Sequence, residues 1–99
     1  MKITIKCQHM NHIEDKEVDA YKTRSPDLVV NRGYVKWSIT HIPTGYAIID
    51  LIDSRKRALQ AANMLAELAD WGKITLGSAM EFYNANKDSL LEIKRFARG

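Results

Sequence analysis

A cysteine and two histidines near the start of the chain are of the side-chain types that bind zinc. Cys7, His9 and His12 form the pattern C-x-H-x2-H, and His41 could approach them in the folded chain. A structural zinc site usually closes with four ligands at recognised spacings, which this pattern lacks. Cys7 also falls on the predicted inner face of a strand. We therefore predict a buried thiol and two turn histidines, with no metal and no cofactor.

The same residue types do not form a recognisable catalytic set. Cys7 has no glycine-rich elbow or helix start beside it that would activate its thiol. The sequence contains no G-x-S-x-G, Walker-type or H-E-x-x-H pattern. Closely spaced carboxylates occur over residues 14–19, where the density of charge predicts a solvated loop. These observations predict a protein that is not an enzyme.

Three consecutive cations, Arg55, Lys56 and Arg57, fall in the first turn of the best-predicted helix. Cations at this position oppose the helix macrodipole by roughly 0.3–1 kcal/mol each. The first turn also offers free backbone N–H groups, which bind anions. A phosphate or a partner's carboxylate would satisfy the cluster. The alternative is that Asp50 and Asp53 neutralise it locally, which would leave no site.

A second group of candidate binding residues lies on the hairpin before this helix. Tyr34 and Tyr46 fall on the register opposite to that of Trp37 and are predicted to face outward beside Lys36. Trp37 shares the apolar register of its strand, which favours core packing. An exposed surface of tyrosine and lysine would suit either nucleic acid or a protein partner.

Alternating apolar and polar residues predict the strands that carry these side chains. The expected strands cover residues 2–7, 17–23, 34–41 and 46–52. The last is the most apolar, which predicts a central position in the sheet. Turns are expected at residues 8–11, 25–27, 31–33 and 43–45, where glycine, proline and short polar residues collect.

The main helix is predicted over residues 54–71, because alanine and leucine recur at helical spacing along one face. Asp53 or Ser54 is the expected N-cap, and Gly72 is the expected end of the helix.

The C-terminal segment is also predicted to be helical, as one bent helix or as two. Ser78 with Glu81, and Ser89 with Glu92, match the capping-box pattern that marks a helix start. Residues 84–86 read Asn-Ala-Asn and should bend or break the segment between them.

Size and composition predict one α+β domain covering residues 1–99. The chain is 45% hydrophobic and 27% charged, with a formal charge of +3 and one cysteine, which excludes an internal disulfide. No apolar run approaches the roughly 18 residues that a membrane span needs. The first residues alternate in polarity, unlike a signal peptide, which predicts a cytoplasmic protein. The expected architecture is a three- or four-stranded antiparallel sheet, with one long helix across it and a C-terminal helical segment.

Residues 34–71, a hairpin followed by a cap and an alanine-rich helix, resemble the strand–strand–helix core of arm-type and AP2-like DNA-binding domains of phage integrases. That resemblance implies a sheet that enters the major groove. The whole chain also resembles the small accessory proteins of phages and mobile elements, including anti-CRISPR inhibitors, in its size, its single domain and its lack of catalytic motifs. This second resemblance implies stoichiometric binding without a cofactor.

Two functions therefore remain open at the level of the sequence. The first is a non-enzymatic, phage-type inhibitor that binds and occludes a host protein or nucleoprotein complex in the host cytoplasm. The alternative is a small basic DNA- or RNA-binding module. The mild net charge and the acidic stretch at residues 14–19, which would repel a phosphate backbone, favour the protein partner.

Overall fold

Strands occupy the first half of the chain and helices the second. The computed structural model describes residues 2–8, 12–32 and 36–99. The strands are β1 Lys2–Gln8, β2 Ile13–Lys22, β3 Leu28–Arg32, β4 Trp37–His41 and β5 Ala47–Ile52. The helices are α1 Arg55–Leu68, α2 Leu76–Ala85 and α3 Lys87–Arg98, with a 3₁₀ turn at Trp71–Lys73 between α1 and α2.

The predicted α+β class is confirmed, but the sheet is larger than expected. It has five antiparallel strands in the order β1-β2-β3-β4-β5, and three helices follow it. Within residues 2–8, 12–32 and 36–99, no helix is long and apolar enough to cross a membrane.

The strand that the sequence analysis missed is β3, and the predicted turn at residues 31–33 is wrong for Asn31 and Arg32. Leu28, Val29, Val30 and Asn31 are all buried, so this strand shows no alternation of polarity. Leu28 and Val30 belong to the main core under α1, whereas Val29 belongs to a second core on the other face of the sheet. Asn31 is kept in the interior by Thr40, whose hydroxyl donates to its amide oxygen at 2.6 Å.

The acidic stretch at residues 14–19 forms part of β2, and the prediction of a solvated loop there is wrong. β2 begins at Ile13 and pairs with β1 in a register that sets lysines of β1 against carboxylates of β2. Lys2 lies opposite Asp19, with Nζ 3.1 Å from Oδ1, and Lys6 occupies the position opposite Asp15. Because positions of opposite charge pair across the strands, the acidic sequence can be accommodated in a hairpin.

This β1–β2 hairpin contributes residues to a second, smaller core on the other face of the sheet. β2 pairs with β1 through residues 13–19 and with β3 through residues 20–22. A small core forms from Ile3, Ala20 and Val29. Ala20 is buried and Val18 half-buried, so both contribute to this small core.

The main core lies between the sheet and α1, on the helix face that the sequence predicts. Ala58, Ala61, Ala62 and Leu65 are buried, and the small alanines allow the helix to lie close to the strands. Ser54 caps the helix as expected, because its side chain accepts a hydrogen bond from the backbone N–H of Arg57 at 3.0 Å.

The end of α1 differs from the prediction. The helix ends at Leu68 and not at Gly72, and Ala69 is extended with φ −161°. Asp70 then opens the 3₁₀ turn, and its carboxylate accepts the N–H of Gly72 at 3.2 Å. This early turn brings Trp71 into the core, where its Nε1–H donates to the carbonyl of Leu65 at 2.7 Å. The indole thus satisfies a carbonyl that the helix end leaves open.

Both predicted capping boxes in the C-terminal segment are misplaced, although the break between the two helices is confirmed. Thr75 is the N-cap of α2, and Ser78 is the third residue of that helix, with reciprocal bonds of 3.3 and 3.0 Å between the two. Ser89 lies inside α3, which begins after Asn86 without a side-chain cap bond. The two hydroxyl residues thus cap the helix together, with Thr75 at the N-cap position and Ser78 in the first turn.

The apolar strand β5 is an edge strand, so its predicted central position is wrong. Ile49 and Ile52 are buried in the main core, whereas Leu51 is 58% exposed. Its pairing with β4 is irregular, since Ile39 pairs with Ile49 and Thr40 with Ala47, which leaves one extra residue between them.

Candidate binding surface

The three cations at residues 55–57 do occupy the first turn of α1, but one of them belongs to the fold. The guanidinium of Arg57 donates to the backbone carbonyl of Phe96 at 2.7 Å and lies 5.1 Å from the centre of the Phe96 ring. Arg57 therefore fastens the start of α1 to the end of α3. Arg55 and Lys56 are both exposed and make no such connection to α3 among the contacts of the described residues.

Arg55 is held by an aromatic ring rather than by a carboxylate. Its guanidinium carbon lies 4.7 Å from the centre of the Tyr21 ring. The edge of Tyr21 meets Trp37, with ring centres 5.9 Å apart and an angle of 62° between the planes. Arg32 lies over the other ring of this pair, 5.6 Å from the centre of Trp37. These four side chains, Arg32, Trp37, Tyr21 and Arg55, are called the aromatic–arginine row below.

The sheet register explains how the row forms. Tyr21 pairs with Val30 and Trp37 with Arg32, so all of these side chains point to the sheet face that α1 covers. The row lies at the end of that face where α1 begins, and there Tyr21 keeps 42% of its surface exposed while Trp37 is half-buried. Adjacent strands and the first helical turn thus place two rings side by side at the surface, with a cation over each.

Asp50 and Asp53, which in the alternative interpretation would neutralise the cluster, have other partners. Asp50 pairs with Arg98, with 2.6 Å between oxygen and nitrogen. Asp53 pairs with Lys36 at 2.9 Å. Among the described residues no salt bridge joins a carboxylate to Arg55 or Lys56. Local neutralisation by direct ion pairs is therefore contradicted for these two cations.

The predicted surface of Tyr34, Lys36 and Tyr46 is not assembled as expected. Tyr34 lies outside the described residues. Lys36 precedes β4 at the end of the sheet near Asp53, whereas Tyr46 follows the turn at the opposite end of the β4–β5 hairpin. Tyr46 is half-buried, and its N–H donates to the hydroxyl of Thr44 at 3.3 Å. Lys36 directly precedes Trp37 of the aromatic–arginine row in the chain, whereas Tyr46 lies at the other end of the hairpin.

The histidines of the possible zinc pattern lie in unlike surroundings. His41 is buried, with Nε2 2.6 Å from the carbonyl oxygen of Trp71 and Nδ1 2.9 Å from the hydroxyl of Thr44. Because that carbonyl must accept, Nε2 carries a hydrogen. His12 is exposed, 3.3 Å from Glu14. His9 and the side chain of Cys7 lie outside the described part of the chain, within which no three potential ligands cluster.

Two members of the row, Tyr21 and Arg32, were missed by sequence reasoning. Arg32 was assigned to a turn, and Tyr21 was passed over although its predicted strand placed it on the face opposite to Ala20. A bulky aromatic residue on the face opposite to the inward residues is the signal that could have identified it. Its neighbours across the strands depend on register, which the local sequence does not encode.

Comparisons with protein-family models, with curated protein sequences and with solved structures give no match to this chain.

Proposed function

We propose that this chain is a non-catalytic binding protein, a phage-type inhibitor that occludes an acidic site on a host protein or nucleoprotein complex. The aromatic–arginine row, together with Lys56, is its contact surface. The observation that carries the proposal is the exposed Arg55, whose guanidinium lies over the Tyr21 ring at 4.7 Å and pairs with no carboxylate of the described residues.

The residue types of the row support binding to protein. Arginine, tyrosine and tryptophan are the side chains that most often carry the energy of a protein interface, since each buries a large area with few rotatable bonds. Stacking on a ring also fixes the plane of a guanidinium, so that less conformational entropy is lost when it binds. A partner's carboxylate can then form two parallel hydrogen bonds with a preordered guanidinium.

The surroundings of the row favour a protein over a nucleic acid. Asp50 and Asp53 lie at the same end of the sheet, and their side chains are 58% and 73% exposed. Because these carboxylates pair with Arg98 and Lys36, they hold two nearby cations away from a phosphate backbone, whereas a compact acidic site on a protein needs only Arg55 and Lys56. The acidic residues of β2 support this preference less than the sequence suggests, because Asp15 and Asp19 lie opposite lysine positions of β1.

The proposal is tested with the double variant Arg55→Glu/Lys56→Glu. Immobilised wild-type protein is used to capture a partner from a bacterial host lysate, and the affinity of that partner is then measured for each variant. The double variant should lose capture and keep its melting temperature, because acidic residues suit a helix N-terminus. Arg57 is left intact since it holds α3.

The matched control is Lys22→Glu/Lys73→Glu, which changes the charge equally at exposed positions outside the row. It should capture the partner as the wild type does. A folded Arg55→Glu/Lys56→Glu protein with undiminished capture would contradict the proposal.

Nucleic-acid binding is the second candidate, and one observation favours it. Two cations flank the start of α1 beside an exposed tyrosine ring, which is an arrangement that can hold a phosphate and stack a base. Titration of DNA and RNA binding against salt separates the candidates. A nucleic-acid module should bind with a steep salt dependence, and the double variant should lower the slope by up to about two. An inhibitor of the proposed kind should show neither effect.

A further inference from the structure

An apolar groove lies between α3 and the edge strand β5, away from the aromatic–arginine row. Its volume is about 320 Å³. Five aliphatic side chains and one tyrosine form its floor and walls, and two lysines stand among them: Ala47, Ile48, Ile49, Tyr83, Lys87, Leu90, Leu91 and Lys94.

The helices around the groove carry large apolar side chains that are exposed and not packed in the core. α2 has no fully buried residue, and its Leu76 and Met80 are 66% and 71% exposed. α3 turns Ile93 and Ala97 into the core while Leu91 remains 42% exposed beside the groove. Apolar helix surface of this kind usually marks a site that another molecule covers.

The charges around the groove have one sign. Lys87 and Lys94 lie four residues before and three residues after Leu91, so all three share one face of α3. The groove lining contains no acidic residue. Within the described chain neither lysine takes part in a salt bridge. Their charges therefore remain available to carboxylates of a bound molecule.

The backbone of β5 is not suited to pairing with an added strand. Its pairing with β4 contains register shifts, and Leu51 has φ 57°, a left-handed conformation that is costly for leucine. Arg98 also donates to the carbonyl of Asp50 at 3.0 Å and so occupies one edge group. Bulges and covered edge groups oppose strand addition. An occupant must therefore use side chains, as a helix does.

We propose that this groove binds an acidic amphipathic helix of a partner protein, with apolar residues against Leu90 and Leu91 and carboxylates at Lys87 and Lys94. The inference rests on the proposed function only in that the partner is a protein, since the groove shares no residue with the row. A second copy of this chain fits less well, because a symmetric pair would set Lys87 and Lys94 of both copies close together.

The experiment uses a fluorescent synthetic peptide of about 18 residues, long enough to form a helix, with leucine at helical spacing and glutamate on its flanks. A second peptide carries lysine in place of glutamate. Fluorescence anisotropy should show that the full-length protein binds the acidic peptide at least about tenfold more tightly than the basic one. Lys87→Glu/Lys94→Glu should weaken binding of the acidic peptide about tenfold or more.

Matched control variants distinguish binding in the groove from nonspecific hydrophobic or electrostatic binding of the peptide. Leu91→Glu should also weaken binding, whereas Ile13→Glu, an equally drastic change at an exposed apolar position of β2, should not. Lys22→Glu/Lys73→Glu should bind the peptide as the wild type does. Binding should persist in Arg55→Glu/Lys56→Glu, so that failure at the row and failure at the groove are distinguishable.

Three results would overturn the inference. The first is no binding of the acidic peptide at about 1 mM, which corresponds to less than about 4 kcal/mol. The second is equal binding of both peptides or equal binding by the groove and control variants. The third is self-association of the wild type that Leu91→Glu abolishes, which would assign the groove to a second copy.

Discussion

The two tryptophans of this protein lie on the same side of the sheet and have opposite surroundings. Trp71 is 1% exposed, donates its indole N–H to Leu65, and packs edge-on against His41 and Phe82. Trp37 is half-buried, and its neighbours are Tyr21 and the guanidinium of Arg32. Trp71 lies beneath the helices. Trp37 lies at the end of the sheet face where α1 begins and where the helices no longer cover the sheet.

The difference shows that residue type alone does not assign an aromatic side chain to the core. The alternation of β4 predicts that Trp37 packs inward, and the side chain does point to the helix-covered face. It reaches the end of that face, however, where a cation and an exposed ring lie beside it in addition to residues of the main core. Whether an inward-facing aromatic residue is structural or available for binding thus depends on how far the covering helix extends.

The largest expected effect is at the covered tryptophan. Trp71→Ala should destabilise the fold by about 3–5 kcal/mol, because it opens a cavity and leaves the Leu65 carbonyl without its donor. Chemical denaturation measures the change. Trp37→Ala should cost clearly less, since part of its ring already contacts solvent. Equal losses of stability in the two variants would contradict the distinction between the covered Trp71 and the partly exposed Trp37.

A smaller loss is expected from the buried polar pair on the second face of the sheet. Thr40→Val keeps the shape of the side chain but removes the hydroxyl that donates to Asn31 at 2.6 Å. The buried amide oxygen would lose its donor, at a cost of about 1–3 kcal/mol measured by denaturation. Ser38→Ala is the control, because Ser38 is only half-buried. A neutral Thr40→Val would mean that water or another group satisfies Asn31.

In the first turn of α1, beside the aromatic–arginine row, Arg57 has a structural role. Arg57→Ala should cost about 1 kcal/mol, because the bond to the Phe96 carbonyl and the contact with the Phe96 ring are lost. Lys56→Ala in the same turn should change stability by no more than about 0.5 kcal/mol. Thermal unfolding of the two variants checks this. A reversed order would place the fold-supporting role on Lys56 and not on Arg57.

The smallest expected effect concerns Tyr83, which lies between the main core and the groove. Burial raises the pKa of its phenol above the usual value. The folded state therefore holds the proton more tightly than the unfolded chain, whose tyrosines titrate near pH 10. This contribution to stability is complete below the unfolded pKa and is lost as the pH rises through the folded one. In ultraviolet titrations, Tyr83→Phe should remove the late-titrating component, and denaturation should show a shallower loss of stability above about pH 10.

Local patterns in the sequence predict much of the helical layer and little of the binding surface. The apolar face of α1 and its Ser54 cap follow from spacing and side-chain type within a few residues. β3 escapes prediction because burial on both faces removes the alternation that marks a strand. The end of α1 depends on Trp71 bonding back to Leu65, which is a tertiary contact.

The candidate site was likewise predicted only in part. Arg55 and Lys56 are recognisable from their position in a helix, but the ring under Arg55 is supplied by β2, far away in the chain. Only the strand register brings Tyr21, Trp37 and Arg32 together. Interactions set by register and by helix length cannot be obtained from one local stretch of sequence.

The order of the strands has a consequence for the speed of folding. Each strand pairs with the strand next to it in sequence, so the sheet can form by successive closure of short hairpins. Proteins dominated by such near neighbours in the chain fold faster than those that must first join distant segments. Tyr21, Trp37 and Arg32 come from three consecutive strands, and Arg55 follows directly after the last hairpin. We therefore expect the row to assemble early, before α2 and α3 dock, and to be ready soon after the chain is synthesised.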